Sequence, residues 1–171
     1  DILFFFLSTK FLPAVGVIVP IFVIARDLKL IDNLLALVIM YTSMNLPIAV
    51  WMLRSFFDEI PRDILDASKV DGASVREELF GVALPMITPG LIATLFILVI
   101  FAWNEFFFAI ILTRVQIKTA PIAIAEFSGQ YQTLYGQMLA AAVLASLPVV
   151  ILAVVFRRFI LQGFVEGAVK G

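Results

Sequence analysis

Few residues in this 171-residue sequence could do chemistry, and they are unevenly placed. Histidine and cysteine are both absent. That removes imidazole bases, Ser–His–Asp triads, thiolate sites, disulfides and His-based metal clusters together. No nucleophile–base constellation is left, so no catalytic, cofactor-binding or metal-binding residue is expected, and the protein does not read as an enzyme. No G-x-x-x-x-G-K-[ST] phosphate loop is present either, so if the protein is part of a pump, ATP is hydrolysed elsewhere, by a partner subunit. What remains inside long apolar stretches is two charges, Lys10 and Glu105. A charge within a bilayer is costly and normally faces protein or a water-filled cavity. The two either pair across a bundle, line a pathway, or reach separately to their own interfaces. Asn45 and Asn104, with Tyr41 and Trp103 nearby, offer hydrogen bonds and a stacking face to a polyhydroxylated solute, or else tie neighbouring helices together. Lys10, Asn45, Asn104 and Glu105 are therefore the candidate pathway residues.

The other acids cluster. The stretch from Arg54 to Pro85 holds seven of them and is too long for a simple helix connection. Pro61 suits the first turn of a helix, and Asp58 and Glu59 suit the positive end of its dipole. Ile60, Ile64 and Leu65 share one face. Asp71-Gly72 breaks the pattern, and Gly72 permits a left-handed backbone there. Ser74-Val75-Arg76-Glu77 then fits a capping box. Leu84-Pro85 ends the segment. The expectation is helix, glycine bend, helix, with Glu78 near the solvated side. A basic face would favour lipid headgroups; this acid-rich one favours a protein partner.

The elements that position these residues follow from composition. Hydrophobic residues make up 63% and charged residues 15%, against about 45–50% and about 25% in soluble domains. With apolar runs near 20 residues, the class is a polytopic bundle of transmembrane helices, all-α. Net charge is −1, which leaves no basic field for nucleic acid. Four spans are expected, at about 2–25, 34–53, 86–113 and 138–156, with the polar loop 54–85 in the middle. Pro13, Pro20, Pro47 and Pro148 fall inside these spans, where neighbouring helices and waters can satisfy the freed backbone groups. Seven Lys and Arg flank the side carrying the middle loop and the tail, and four flank the other side. The loop and the tail are thus expected in the cytoplasm. On that topology Lys10 and Glu105 lie at depths differing by only about 5 Å at helical rise. The chain begins at Asp1 with no basic region before Ile2, so it does not read as a signal peptide. It is expected to start part-way through a larger protein.

Asp66-Ala67-Ser68, Asp71-Gly72-Ala73, and Leu84-Pro85 with Pro89 resemble the cytoplasmic "EAA" signature of binding-protein-dependent ABC importer permeases. The departures are Asp66, where Glu is usual, and Ser68, where a second Ala is usual. Leu7-Ser8-Thr9-Lys10-Phe11-Leu12-Pro13, Asn45-Leu46-Pro47, Trp103-Asn104-Glu105-Phe106 and the tail from Gly163 to Gly171 resemble the carbohydrate branch, the permeases similar to the smaller maltose-transporter permease. The match covers nearly the whole chain.

The resemblance implies a type I ABC importer permease core in the bacterial inner membrane, lacking here the first two of six spans. It implies that Asp66, Ala67, Ser68, Asp71, Gly72 and Ala73 dock an ABC ATPase dimer. It also implies a second homologous permease, an extracytoplasmic solute-binding protein and surrounding membrane lipid as partners, and a sugar or sugar alcohol as cargo. Two alternatives stay open: an ABC permease for another small solute, and an ion-coupled secondary transporter using Glu105.

Overall fold

The computed structural model describes Ser8, residues 14–129 and residues 133–168, with side chains through Leu161. Among these residues the secondary structure is helical, apart from turns and one isolated bridge between Ser128 and Thr133. Helix α1 spans Ala14–Asp27 and contains Pro20. The rest of the first expected span lies outside the described residues, apart from Ser8.

Helix α2 spans Leu34–Asp58. It starts where Asn33 accepts the Leu35 N–H at 2.9 Å on its side-chain oxygen, satisfying one of the orphan donors of a first turn. It passes the expected end at residue 53. Arg54 does not stop the helix, because a charge marks the edge of an apolar run and not a break in hydrogen bonding. Arg54 instead pairs with Asp58 one turn on, at 3.3 Å.

Helix α3, Arg62–Val70, and helix α4, Val75–Met86, follow as a pair. The middle of α4, Glu78–Ala83, runs in π register. Pro85 has no N–H to return to Gly81, and the wider i→i−5 register, in which Leu84 N–H reaches the Leu79 carbonyl, accommodates it. At Ile87 the chain turns by 73° into α5, Thr88–Trp103.

The run 86–113, expected as one span, is divided. Helix α5 stops at Trp103, and a separate helix α6 covers Phe107–Leu112. Polar chemistry causes the break. Asn104 turns its amide back to the Ile100 carbonyl at 2.8 Å. Glu105 accepts the N–H groups of Phe108 and Ala109 at 2.8 and 3.0 Å, so its carboxylate opens a new helix and does not continue the old one. Helix α7, Ala120–Ala125, and the long helix α8, Tyr135–Ala168, complete the chain.

Helix α5 packs between α2 and α8. Its face toward α2 is small: Gly90, Ala93 and Thr94 are buried at i, i+3 and i+4. A Cβ on Gly90 would fall inside the contact distance of the Phe56 ring, so hydrogen alone fits and the two backbones approach closely. Helix α6 packs instead with α1 and α2. Ile18, Ala25, Leu37, Phe108, Ala109 and Leu112 form that core with Ile122 of α7.

Two described helices are long and apolar enough to cross a membrane, Leu34–Asp58 and Tyr135–Leu161. The bent pair α4–α5 makes a third if it is counted as one span. Along α8, Leu139, Val143, Leu144, Ile151 and Val155 are all more than half exposed. Such a surface suits lipid or neighbouring helices, not water.

Candidate functional site

The polar loop forms a braced corner. Helix α3 ends in a Schellman motif: Ala73 N–H donates to the Ser68 carbonyl and Gly72 N–H to the Lys69 carbonyl, each at 3.0 Å. This closure requires a left-handed residue after the cap, and Gly72 supplies it with φ +83°. Two residues later the expected capping box is present. Ser74 donates from its N–H and hydroxyl to the Glu77 carboxylate at 2.8 and 2.6 Å. Glu77 N–H returns to the Ser74 hydroxyl at 3.4 Å. The Ser74 hydroxyl, then its N–H, holds the Glu77 carboxyl below its ordinary range.

Each candidate docking residue has a place at this corner. Asp66 is exposed and sits 3.3 Å from Lys69. Ala67 is exposed on the outer side of α3. Ser68 is half-buried and donates to the Leu65 carbonyl at 2.8 Å. Asp71 caps α3 and its carboxylate makes no bond among the described residues. Gly72 and Ala73 form the bend. Val70 and Val75 flank it at 87% and 83% exposure, an apolar rim that water would disfavour. Beside it lies a hollow of about 510 Å³ lined by Arg76, Glu77, Phe80 and Gly81.

Two expectations for the corner need correction. Ile64 does not join the inner face and is 40% exposed; Ile60 and Leu65 carry that face alone. Glu78 is not on the solvated side. Its side chain is only 18% exposed and approaches Lys69 to 4.0 Å, because α4 folds back along α3. Lys69 thus lies between Asp66 and Glu78, a brace that the sequence reading missed; only the i, i+3 spacing of Asp66 and Lys69 signalled part of it.

The corner is bolted to the spans. Ile60, Ala83 and Ile87 are buried together, with Phe56 and Phe57 of α2, Leu65 of α3 and Leu84 of α4 packed on them. A displacement of α3 is therefore passed to the end of α2 and the start of α5 through close-packed side chains.

The candidate pathway residues are only partly brought together. Lys10, proposed to pair with Glu105 or line the pathway, lies outside the described residues. Glu105 is half-buried at the break between α5 and α6, with both carboxylate oxygens engaged by α6. The buried Tyr41 hydroxyl lies near that carboxylate without an aligned hydrogen bond. Asn45 is one turn along α2 from Tyr41, on the same face. Its side chain makes no hydrogen bond among the described residues. Asn104 is exposed and turned back on its own helix. Trp103 serves as an interhelical tie: its indole N–H donates to the Ala145 carbonyl of α8 at 3.0 Å.

Residues 2–165 match the family described as "Binding-protein-dependent transport system inner membrane component". The chain belongs to this family. It is 36% identical over 162 residues to the trehalose transport system permease protein SugB of Mycobacterium tuberculosis, covering 93% of this chain and 59% of that protein. It is 33% identical over 169 residues to the trehalose/maltose transport system permease protein MalG of Thermococcus litoralis, covering 98% and 61%. It is also 33% identical over 171 residues to the sulfoquinovosyl glycerol transport system permease protein SmoH of Agrobacterium fabrum, covering 99% and 60%. The chain thus spans about three fifths of the length of these curated relatives. The resemblance drawn from the loop, the Trp-Asn-Glu segment and the tail led to the same family, and the all-α membrane architecture agrees with it.

Proposed function

We propose that this chain is part of a transmembrane permease subunit of an ATP-driven importer for a sugar or sugar alcohol. A separate ATPase dimer docks at Asp66, Ala67, Ser68, Asp71, Gly72 and Ala73. A second homologous permease completes the pathway, and an extracytoplasmic binding protein delivers the solute. The observation that carries the reading is the corner itself. A short helix is closed by a glycine Schellman motif, followed by a capped helix, and both are packed onto the ends of two spans. A passive connection needs none of this. A lever pushed from outside the membrane needs a stiff body, an exposed face and a rigid attachment, and the corner supplies all three. The named cargoes of the relatives favour carbohydrate over other solutes. The Glu105 carboxylate, already engaged by two N–H groups of α6, favours ATP coupling over an ion-coupled carrier. Lys10, Asn45, Asn104 and Glu105 remain the pathway residues we propose, with Tyr41 added beside Glu105.

The test is co-expression of the whole protein with an ATPase, a homologous permease and a binding protein from its source, followed by uptake in vesicles. Trehalose and maltose serve as probes. ATP-dependent uptake that requires the binding protein is expected. Uptake driven by an ion gradient without the ATPase would overturn the reading. Reporter fusions at Asp71 and Gly129 are expected on opposite sides of the membrane, with Asp71 in the cytoplasm.

A further inference from the structure

Asp32 lies in the turn between α1 and α2 with φ +60°, in the left-handed region. Its carboxylate accepts four backbone N–H groups from one distant segment. Oδ1 takes Arg114 at 2.9 Å and Ile117 at 3.1 Å; Oδ2 takes Val115 at 3.0 Å and Gln116 at 2.9 Å. The N–H of Asp32 itself donates to the Leu112 carbonyl, at the end of α6, at 2.8 Å. Converging N–H groups form a nest for an anion, and bonds to an ionised acceptor are the stronger kind. No cation shares the carboxylate within ion-pair distance among the described residues. Of the charged groups around it, Lys29 is on the same turn. Arg114 places its guanidinium 5.9 Å from the Phe22 ring centroid and donates to the Thr113 carbonyl. Lys118 pairs with Glu126 at 2.7 Å. The N–H groups of Gln116 and then Arg114 hold the Asp32 carboxyl well below the ordinary carboxylate range.

These bonds hold α6 in place. A six-residue helix cannot hold itself in place. Glu105 fastens its first turn, and the Asp32 turn fastens its last carbonyl and the segment that follows. The start of α5 packs on α2, and its end is tied through Trp103 to α8. The two halves of the divided run are thus tied differently at the break, the end of α5 to α8 and α6 to the α1–α2 turn, although both also pack on α2.

We propose that Asp32 is a positioning residue whose carboxylate locks residues 114–117 to the α1–α2 turn, so that the end of α6 and the segment after it are held to that turn. The consequence for transport rests on the importer reading; the lock itself does not. These 171 residues contribute no cysteine, so spin labels can be placed at Leu34→Cys and Val115→Cys, positions that are 62% and 81% exposed. The labelled protein is measured in its complex.

A single narrow distance distribution is expected at neutral pH, and it should stay narrow at about pH 4, where an ordinary aspartate is half protonated. Asp32→Gly keeps the left-handed backbone and removes the carboxylate, and should broaden the distribution. Asp32→Asn sets an amide against one pair of N–H groups and should broaden it less. A Gly variant as narrow as the parent would overturn the lock, as would broadening of the parent with a midpoint near an ordinary aspartate. Uptake of trehalose and maltose is read in parallel, with ATPase retention as the control. A broadened Gly variant should lose uptake with the ATPase still bound; undiminished uptake would sever the lock from transport. A parent complex that transports neither probe would count against the cargo reading, while the label distances still decide the lock.

Discussion

At Gly72 the conformation and not the space selects the residue. Its φ is +83°, and a Cβ there would meet nothing within 4 Å. Gly72→Ala should therefore cost only the left-handed penalty of about 1–2 kcal/mol and leave the protein inserted. Gly72→Val should cost more and should also obstruct a partner surface at the bend. Transport assayed in vesicles is expected to fall modestly for Ala and to vanish for Val, and full transport from the Val variant would reduce the corner to a passive connection. Glu77 carries a pH signature. Because its carboxyl is held below the ordinary range in the fold, the capping box stabilises the charged form. That stabilisation is complete above the unfolded value of about 4.3 and is lost as pH falls through the lower folded value. Hydrogen exchange at the Ser74 amide, which donates to the Glu77 carboxylate, should be slow at neutral pH and quicken, beyond the intrinsic trend, only as pH falls below the ordinary glutamate value. In Glu77→Ala, which removes the acceptor, it should be fast throughout. The capping box was legible because its residues are three apart. The Asp32 lock was not, because its partners lie more than 80 residues away and are backbone groups with no side-chain signature.

At the level of elements, the apolar runs located the helices but not their ends. Helix α2 outruns its apolar stretch because Arg54 is a good helix former and pairs with Asp58 one turn on. The third run is divided because two adjacent polar residues, Asn104 and Glu105, each satisfy backbone groups and end one helix while starting another. Hydropathy averages over such a pair, and only the side-chain hydrogen bonds show the break. The π register before Pro85 is likewise invisible to an apolar pattern, although the proline signals that something must yield. Close approach of α2 and α5 depends on the small stripe at Gly90, Ala93 and Thr94. Gly90→Val should force the Phe56 ring aside, at a cost of about 1–3 kcal/mol for an overpacked contact. A lowered Tm in detergent is expected, together with weakened attachment of the corner, since Phe56 also packs on Ile60 and Ile87. An unchanged Tm would show that the two helices can separate freely there.

On the scale of the molecule, the proposed grip and the proposed transmission fall on different faces of the corner. The face around Asp66 is exposed and available to a partner, whereas Leu65, one residue away, points inward onto the cluster of Ile60, Ala83 and Ile87. The signature residues made the outer face legible from the sequence. The inner face was legible only in part, because Ile64 and Leu65 are equally apolar and their exposure depends on where α4 folds back. The two faces should fail differently. Asp66→Lys reverses a charge on the outer face, so repulsion should replace a charge-assisted contact, and the ATPase should no longer co-purify. Leu65→Ala leaves the outer face intact but opens a void beneath it. The loss should be at the low end of the roughly 2–5 kcal/mol usual for such a truncation, since Leu65 is only partly buried. The ATPase should remain bound and hydrolyse ATP, yet uptake should fall because the corner now yields before α2 and α5 do. Measuring co-purification, hydrolysis and uptake on the same preparations separates the cases. Release of the ATPase by Leu65→Ala, or full uptake in that variant, would show that force reaches the spans by another route than this cluster.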